Sequence, residues 1–456
     1  MRTLPPAWAA HAARNLPRYT SYPTAVDFQA LDEDGPQRRE TLGWAAELDA
    51  DQALSAYVHT PFCRRLCWYC GCNTSVFHEY DRVAAFHDVL MREVDLWAEA
   101  LGPHAGLSHL HFGGGSPNAL SPAHFTALVQ RLCTRLGLRP GAEVAAELDP
   151  GLLTDAFITA TGEAGVTRVS LGVQTFDPEV QARINRIQPF DQVERVVERL
   201  RAAGIGAINF DLMYGLPGQT PESTAASAEA AAALAPDRLA VFGYAHVPWM
   251  KKHQKMIDEA ALADASGRWA QAQAADDALT AAGYVRIGLD HYARPDDPLA
   301  RAARTGTLRR NFQGYTDDAA PVMIPVGPSA IGRFPGGFVQ NATPLDAWRR
   351  AVLAGRPPLA RRLAVTAEDE LRAAVIERLM CDLEADVGAL CIAHGFDVAA
   401  LDGALAEAAA LQADGLCRVE GRVVRIPAGA WRMMRVTAAC FDARSTAAAT
   451  RHAMAV

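Results

Sequence analysis

The sequence predicts an α/β fold: a partial, six-unit β/α barrel, preceded by an irregular N-terminal segment and followed by a mainly helical C-terminal domain. Three observations lead there. Six short β-branched or apolar runs recur, most of them followed by a helix-like stretch, the alternation of a parallel sheet with crossover helices. All six runs end on small, polar or chemically capable residues, where a parallel barrel carries its chemistry. A closed eight-fold barrel would need two more units, so the open form is the expectation.

Residues 1–45 contain repeated proline-bearing breaks and little periodicity, and form the lead-in. The barrel follows over 46–318. Its strands are expected at Leu54–His59, Leu107–Phe112, Glu143–Leu148, Val166–Val173, Ala207–Met213 and Arg238–Tyr244. Helices are expected at Tyr80–Leu101, Pro122–Leu136, Gln192–Ala203 and Glu222–Leu234, with a further helix at Ala261–Ala282 and an apolar run at Val285–Asp290. The strand ends then read His59–Pro61, Gly113–Ser116, Glu147–Asp149, Gln174, Asp211 and Tyr244–His246. From 319 to 456 the chain turns alanine-rich and helical, with a short hairpin around Cys417–Ile426.

At 456 residues, half of them hydrophobic and 21% charged, the chain can bury a sizeable core, which excludes global disorder. Its 44 basic and 52 acidic residues leave a net charge of −8, which argues against binding nucleic acid or anionic membranes. The only lysines are Lys251, Lys252 and Lys255, in one short segment. A charge run of this kind is usually a solvated face; the alternative is a local positive field that greets an anionic substrate. No span is apolar enough for a bilayer, and prolines interrupt the N-terminus where a signal peptide needs an apolar run, so a cytoplasmic protein is expected.

Nine cysteines are present, four of them within Cys63-Arg-Arg-Leu-Cys67-Trp-Tyr-Cys70-Gly-Cys72. Such crowding fits a metal site in a reducing compartment better than a disulfide framework. Zinc sites pair C-x2-C with a second pair or distant histidines, and no second pair exists here. Thiolates from one tight loop suit an iron–sulfur cluster. Three thiolates on a four-iron cluster leave one iron open to a small chelating molecule. Cys72 could close it as a fourth ligand, although its tether to Cys70 is a single residue. Cys133, Cys381, Cys391, Cys417 and Cys440 read as buried small hydrophobes.

The other strand ends supply candidates of their own. Gly113-Gly114-Gly115 is a tight turn or a place where backbone groups approach a ligand. Glu147 and Asp149 are two acids at one strand end, suited to a ribose diol and to a helix cap. Asp211 sits among apolar neighbours and requires a partner. His59, two residues beyond Tyr57, is either a satisfied core histidine or a group near the cysteine loop. Arg18, Arg294 and Arg310 are further carboxylate-pairing candidates.

The C-x3-C-x2-C loop resembles that of the radical S-adenosylmethionine (SAM) enzymes. RYTSYPT (18–24), YVHTPFCRRLCWYCGCN (57–73), HFGGGSPNAL, AELDP, SLGVQTFD, INFDLMYGLPGQTPES, RNFQGYT and MMRVTAACFDAR together resemble the oxygen-independent coproporphyrinogen III oxidase family along nearly the whole chain. The resemblance implies a 4Fe–4S cluster, two SAM molecules and a partial barrel with a helical C-terminal domain. The implied reaction is oxidative decarboxylation of two propionates of coproporphyrinogen III to vinyls, giving protoporphyrinogen IX in haem synthesis. An electron donor and a final acceptor are also implied, and a monomer is the default. Carried over by motif, Cys63, Cys67 and Cys70 are the cluster ligands. Tyr57, Gly114, Glu147 and Ile331 contact the first SAM. Tyr69, Gly115, Ser116, Gln174, Arg186, Asp211 and Ala245 contact the second. Tyr57, His59 and Cys72 bear on turnover. GRFPGGFVQN, after VGPSAI (326–331), is richer in Gly and Pro than the family pattern. The competing readings are a related haem-modifying radical enzyme, which should lack RYTSYPT and RNFQGYT, a haem-binding protein on the same fold, and an electron carrier closed by Cys72.

Overall fold

The computed structural model describes residues 3–444; the extreme ends of the lead-in and of the C-terminal region, 1–2 and 445–456, lie outside the described residues. One thirteen-stranded sheet organises the chain. Its strands are β1 (Gln29–Ala30), β2 (Leu54–Thr60), β3 (Leu107–Gly114), β4 (Leu138–Leu148), β5 (Arg168–Gln174), β6 (Ala207–Tyr214) and β7 (Arg238–Gly243). They continue as β8 (Val285–Ile287), β9 (His291–Ala293), β10 (Val322–Val326), β11 (Ile331–Phe334), β12 (Gly337–Asn341) and β13 (Leu359–Ala364). Strands β2 to β7 lie side by side in sequence order, every neighbouring pair parallel. These are the six expected units. β4 starts at Leu138 rather than Glu143 because its first residues are exposed and carry no apolar signal.

The crossover helices follow from ordinary amphipathic chemistry. In Pro122–Leu136 the Ser121 hydroxyl accepts the His124 N–H at 3.2 Å as N-cap, and Pro122 stands where no N–H is needed. Phe125, Leu128, Val129, Leu132 and Leu136 are buried along one face, and Gly137 ends the helix with φ +71°. The helices at Asp81–Ala100, Phe190–Ala202, Pro221–Ala233 and Ala265–Ala281 lie where they were expected, and a shorter one, Asp155–Glu163, joins β4 to β5.

The barrel does not close. β10 pairs parallel with β2, and β11, β12 and β13 add antiparallel strands beyond it, while β9 and β8 extend the other edge. The expectation of a mainly helical region from 319 is corrected by the strands of 322–364, which join the central sheet around one helix, Leu345–Leu353; the mainly helical part begins at Ala367. The Gly- and Pro-rich GRFPGGFVQN is the β11–β12 hairpin, turning through Pro335-Gly336. Beyond 367 lie helices Ala367–Asp382, Val387–Ala393 and Asp402–Ala410, and the expected hairpin forms as Arg418–Glu420 against Val423–Arg425. No helix among the described residues is long and apolar enough to cross a membrane.

The N-terminal segment is tied down far away in sequence. Ala12, Leu16, Tyr19 and Tyr22 are buried in the C-terminal core, the Tyr19 hydroxyl donates to Asp442 at 3.0 Å, and β1 pairs with β13. It also holds a regular helix, Pro36–Ala46, so only its first thirty-odd residues are irregular.

One buried carboxyl positions the mouth of the barrel. Glu93, fully buried on the outer helix Asp81–Ala100, accepts the Gly327 N–H at 2.8 Å, Trp348 Nε1–H at 2.7 Å and Asn341 Nδ2–H at 2.7 Å. Gly327 has φ +93°, and a Cβ there would stand 2.3 Å from the His59 carbonyl. The loop after β10 is thus pinned beside the end of β2.

Candidate active site

β2 ends at Thr60, and Pro61 leads into a two-residue strand, Phe62–Cys63, that pairs with Ser75–Val76. This pinches residues 63–75 into a closed loop carrying Cys63, Cys67, Cys70 and Cys72. Each of the first three sulfurs receives one donor. The Thr74 hydroxyl donates to Cys63 Sγ at 3.2 Å, Arg186 Nη1 to Cys67 Sγ at 3.4 Å and the Cys72 N–H to Cys70 Sγ at 3.4 Å. The Cys72 thiol beside the Cys70 sulfur, against the opposing effect of burial, brings the Cys70 thiol down to about 6. Cys63, lacking such a thiol neighbour, is pushed up to about 11 by burial.

Beside the loop runs a chain of hydrogen bonds. The Tyr57 hydroxyl lies 3.2 Å from His59 Nδ1, and His59 Nε2 lies 2.9 Å from the Asn73 carbonyl. A carbonyl only accepts, so Nε2 carries the proton and Nδ1 takes the phenol's. Burial lowers the His59 pKa and keeps the ring neutral. Tyr57 stacks on His111 with ring centroids 5.8 Å apart, and His111 Nε2 donates to Glu147 Oε1 at 2.9 Å. The other Glu147 oxygen accepts the Gly114 N–H at 3.4 Å.

The glycine run answers to packing as well as to ligand approach. Gly114 has φ +109°, and a Cβ on it would meet the His59 ring at 2.6 Å. One on Gly113 would meet the Glu147 carboxylate at 2.8 Å. The space freed by the missing side chains is filled by the two residues that β2 and β4 deliver. Gly115 donates to the Thr60 carbonyl at 2.7 Å, and the Ser116 hydroxyl bonds Asn118 and accepts the Asp149 N–H at 3.3 Å.

Arg186 lies just beyond the short helix Pro178–Arg183 and is buried. Its Nη1 meets Asp149 Oδ2 at 3.3 Å as well as Cys67, while Nε and Nη2 donate to the Gly172 carbonyl at 3.2 and 2.7 Å. Asp149 also caps the turn after β4 by accepting the Gly151 N–H at 2.9 Å. Gln174 closes β5 with φ +67°. A cavity of about 300 Å3 fills the barrel; Glu147, His111 and Asp211 line it, with Arg168, Arg238 and Glu143 among its other walls. Asp211 has no hydrogen-bond partner among the described residues, and burial, with Glu147 nearby, pushes its carboxyl up to about 7. A second cavity of about 540 Å3 adjoins the first at Asn311, Thr316, Asp318 and Met323, between the RYTSYPT segment and the RRNFQGYT hairpin.

Ile331 stands apart, on β11, against the aromatic cluster of Phe28, Phe312 and Phe338. Two of the basic candidates are engaged in structural pairing: Arg18 ion-pairs with Asp290 at 2.5 Å, and Arg310 donates to the carbonyls of Tyr19 and Arg18. Arg294 lies 3.6 Å from Asp296, both well exposed.

Sequence reasoning missed three contributors. His111 bridges Tyr57 and Glu147; strand alternation puts it on the inward face, two residues before Gly113, and could have found it. Thr74 donates to Cys63 from the far side of the loop. The basic run proves to be a clasp: Lys251 Nζ donates to the Cys72 carbonyl at 2.8 Å, His253 Nε2 to the Cys70 carbonyl at 2.7 Å, and Gln254 Nε2 to the carbonyls of Tyr69 and Ala245 at 2.9 and 3.2 Å. That clasp joins Tyr69 and Ala245, two residues grouped in advance only by resemblance.

Residues 57–231 match the Radical SAM superfamily model. The chain is 45% identical over 447 residues to an oxygen-independent coproporphyrinogen III oxidase of Bradyrhizobium diazoefficiens, covering 98% of each. It is 44% identical to one of Paracoccus denitrificans, covering 95% of each. Among solved structures it is similar to the coproporphyrinogen III oxidase of Escherichia coli, described as a radical SAM enzyme, with a TM-score of 0.88 and 36% identity over 93% of this chain and 97% of that one.

Proposed function

The chain belongs to the oxygen-independent coproporphyrinogen III oxidase family, and from that premise we propose that it converts two propionates of coproporphyrinogen III to vinyls, yielding protoporphyrinogen IX without oxygen. The observation that carries this reading is the cysteine loop with one donor aimed at each of three sulfurs. Hydrogen bonds to sulfur stabilise thiolate character, so the donor set fits a cluster held by Cys63, Cys67 and Cys70. When bound there with SAM, a 4Fe–4S cluster supplies a 5′-deoxyadenosyl radical able to abstract hydrogen from an unactivated propionate carbon.

The protein's own groups bind and orient. Glu147, held by His111 and Gly114, presents its carboxylate at the end of β4, where it suits a ribose diol. Asp211 offers the cavity an unsatisfied carboxyl. Arg186 sets Asp149 and the Gly172 carbonyl in place beside Cys67. Tyr57 and His59 form a continuous hydrogen-bonded path from the Tyr57 hydroxyl to Asn73, so a proton on either group has a defined neighbour. Tyr57, Gly114, Glu147 and Ile331 are assigned to one SAM, and Tyr69, Gly115, Ser116, Gln174, Arg186, Asp211 and Ala245 to a second. The adjoining cavities are of the size that cofactor-sized ligands occupy. Anaerobic turnover tests the reading. Reconstituted enzyme with reductant, SAM and coproporphyrinogen III should give protoporphyrin and matching 5′-deoxyadenosine; SAM cleavage with the porphyrin unchanged would refute the substrate.

Asp211 also makes a thermodynamic prediction. Its carboxyl is raised from an ordinary 3.8 to about 7 by burial and by Glu147 and Asp290, against Arg186 and His111, which lower it. Between those values the folded chain keeps a proton that the unfolded chain has lost, so stability falls as pH rises through that window. Asp211→Asn should remove this slope and make the cofactor-free protein more stable at pH 7.5, on the order of 3 kcal/mol. Urea titrations at pH 5 and 7.5 read it directly. The same substitution should weaken SAM binding, the expected trade between stability and function.

A further inference from the structure

The clasp over the cysteine loop has an outer side. Pro248 to Ile257 carries all three lysines of a chain with net charge −8, and Trp249, Met250 and Met256 are 64%, 61% and 59% exposed. Single exposed apolar side chains are ordinary; three within eight residues of one segment are a concentration. Lys252 and Lys255 make no ion pair among the described residues. Arg65, exposed on the cysteine loop itself, makes none either, while its neighbour Arg64 stacks over the Phe77 ring at 4.3 Å. Exposed Trp and Met interleaved with lysines that make no ion pair is the composition of a protein-binding surface that awaits an acidic partner.

We propose that this surface docks an acidic one-electron carrier protein. The inference rests on the functional reading above, because the loop the clasp holds needs a cluster for the electron to matter. One electron leaves the reduced carrier and enters the cluster; no bond is made or broken and no proton moves. Electron tunnelling fades steeply with distance, so a donor must sit against the outside of the cysteine loop. The clasp covers that side through hydrogen bonds to the Cys70 and Cys72 carbonyls. A membrane is the poorer occupant. The element is a five-residue turn, Lys252–Met256, rather than a long amphipathic helix, and Asp258 and Glu259 follow it directly.

Reconstituted enzyme and its variants Lys252→Glu/Lys255→Glu and Trp249→Ala should be titrated calorimetrically with flavodoxin, an acidic flavin carrier, at low and high salt. Both variants are expected to bind at least about tenfold more weakly, and the double variant to lose most of the salt dependence. SAM cleavage driven by dithionite should be unchanged, which separates a failure of docking from a failure of the radical chemistry. Three results would overturn the proposal: no flavodoxin binding by the parent enzyme, equal binding by the variants, or loss of affinity for phosphatidylglycerol vesicles or for coproporphyrinogen III in place of flavodoxin.

Discussion

Cys67→Ser is expected to fold and to produce no 5′-deoxyadenosine above background. Cys67 is one of the three proposed cluster ligands, and its removal leaves only two thiols and takes from Arg186 its sulfur acceptor. Cys72→Ala should behave differently. Cys72 is exposed, and on the proposed reading it acts on the Cys70 sulfur and is not a ligand, so iron content should stay full while turnover falls about 10- to 100-fold, the usual cost of losing an outer-shell partner. Cys72→Ser, which keeps a hydroxyl donor, should recover part of that loss. Iron and sulfide analysis beside 5′-deoxyadenosine yield distinguishes the cases; a Cys72→Ala protein without iron would make Cys72 a ligand.

The second large effect falls on Arg186. Replacing it with alanine removes a buried cation, leaves the partly buried Asp149 carboxylate without it and takes two donors from the Gly172 carbonyl. Breaking a buried pair from one side costs about 3–5 kcal/mol, so the urea midpoint of the cofactor-free protein should fall accordingly. Arg186→Lys should restore little. An ammonium is a point charge on a single stem and cannot reach Cys67, Asp149 and Gly172 together as the planar fork does. A midpoint that does not move would mean the site relaxes to admit water.

The barrel was legible because a parallel strand buried on both faces must be a short apolar run, and because each run stops where the chemistry begins. Strands β10 to β13 were hidden for the opposite reason. They are four to six residues long, joined in part by a Pro-Gly turn, and make sense only once β2 offers an edge to pair with. The same divide runs through the site. Cys63, Cys67, Cys70, Glu147 and Asp211 announce themselves by residue type and position. The donors to sulfur do not, since Arg186 reaches Cys67 across 119 residues. The glycine run shows a subtler limit. Space for a ligand and space already taken by His59 and Glu147 leave the same mark in the sequence. Lysines 251, 252 and 255 read as a solvated run or a field for an anionic substrate, and the carbonyl that Lys251 holds is invisible without a fold.

The stitching of the N-terminal segment bears on how the protein is made. Phe28 gives its carbonyl to Arg361, 333 residues later in the chain, and Tyr19 waits for Asp442. At translation speeds of about 5–20 residues per second, residues 12–30 are made roughly 20–85 s before their partners exist. During that interval the segment is open to proteases and chaperones, and the barrel behind it can begin to assemble with its mouth uncovered. A nascent chain arrested before residue 359 should therefore show rapid cleavage within the first thirty residues. The finished chain should resist, so that N-terminal protection serves as a clock for completed synthesis.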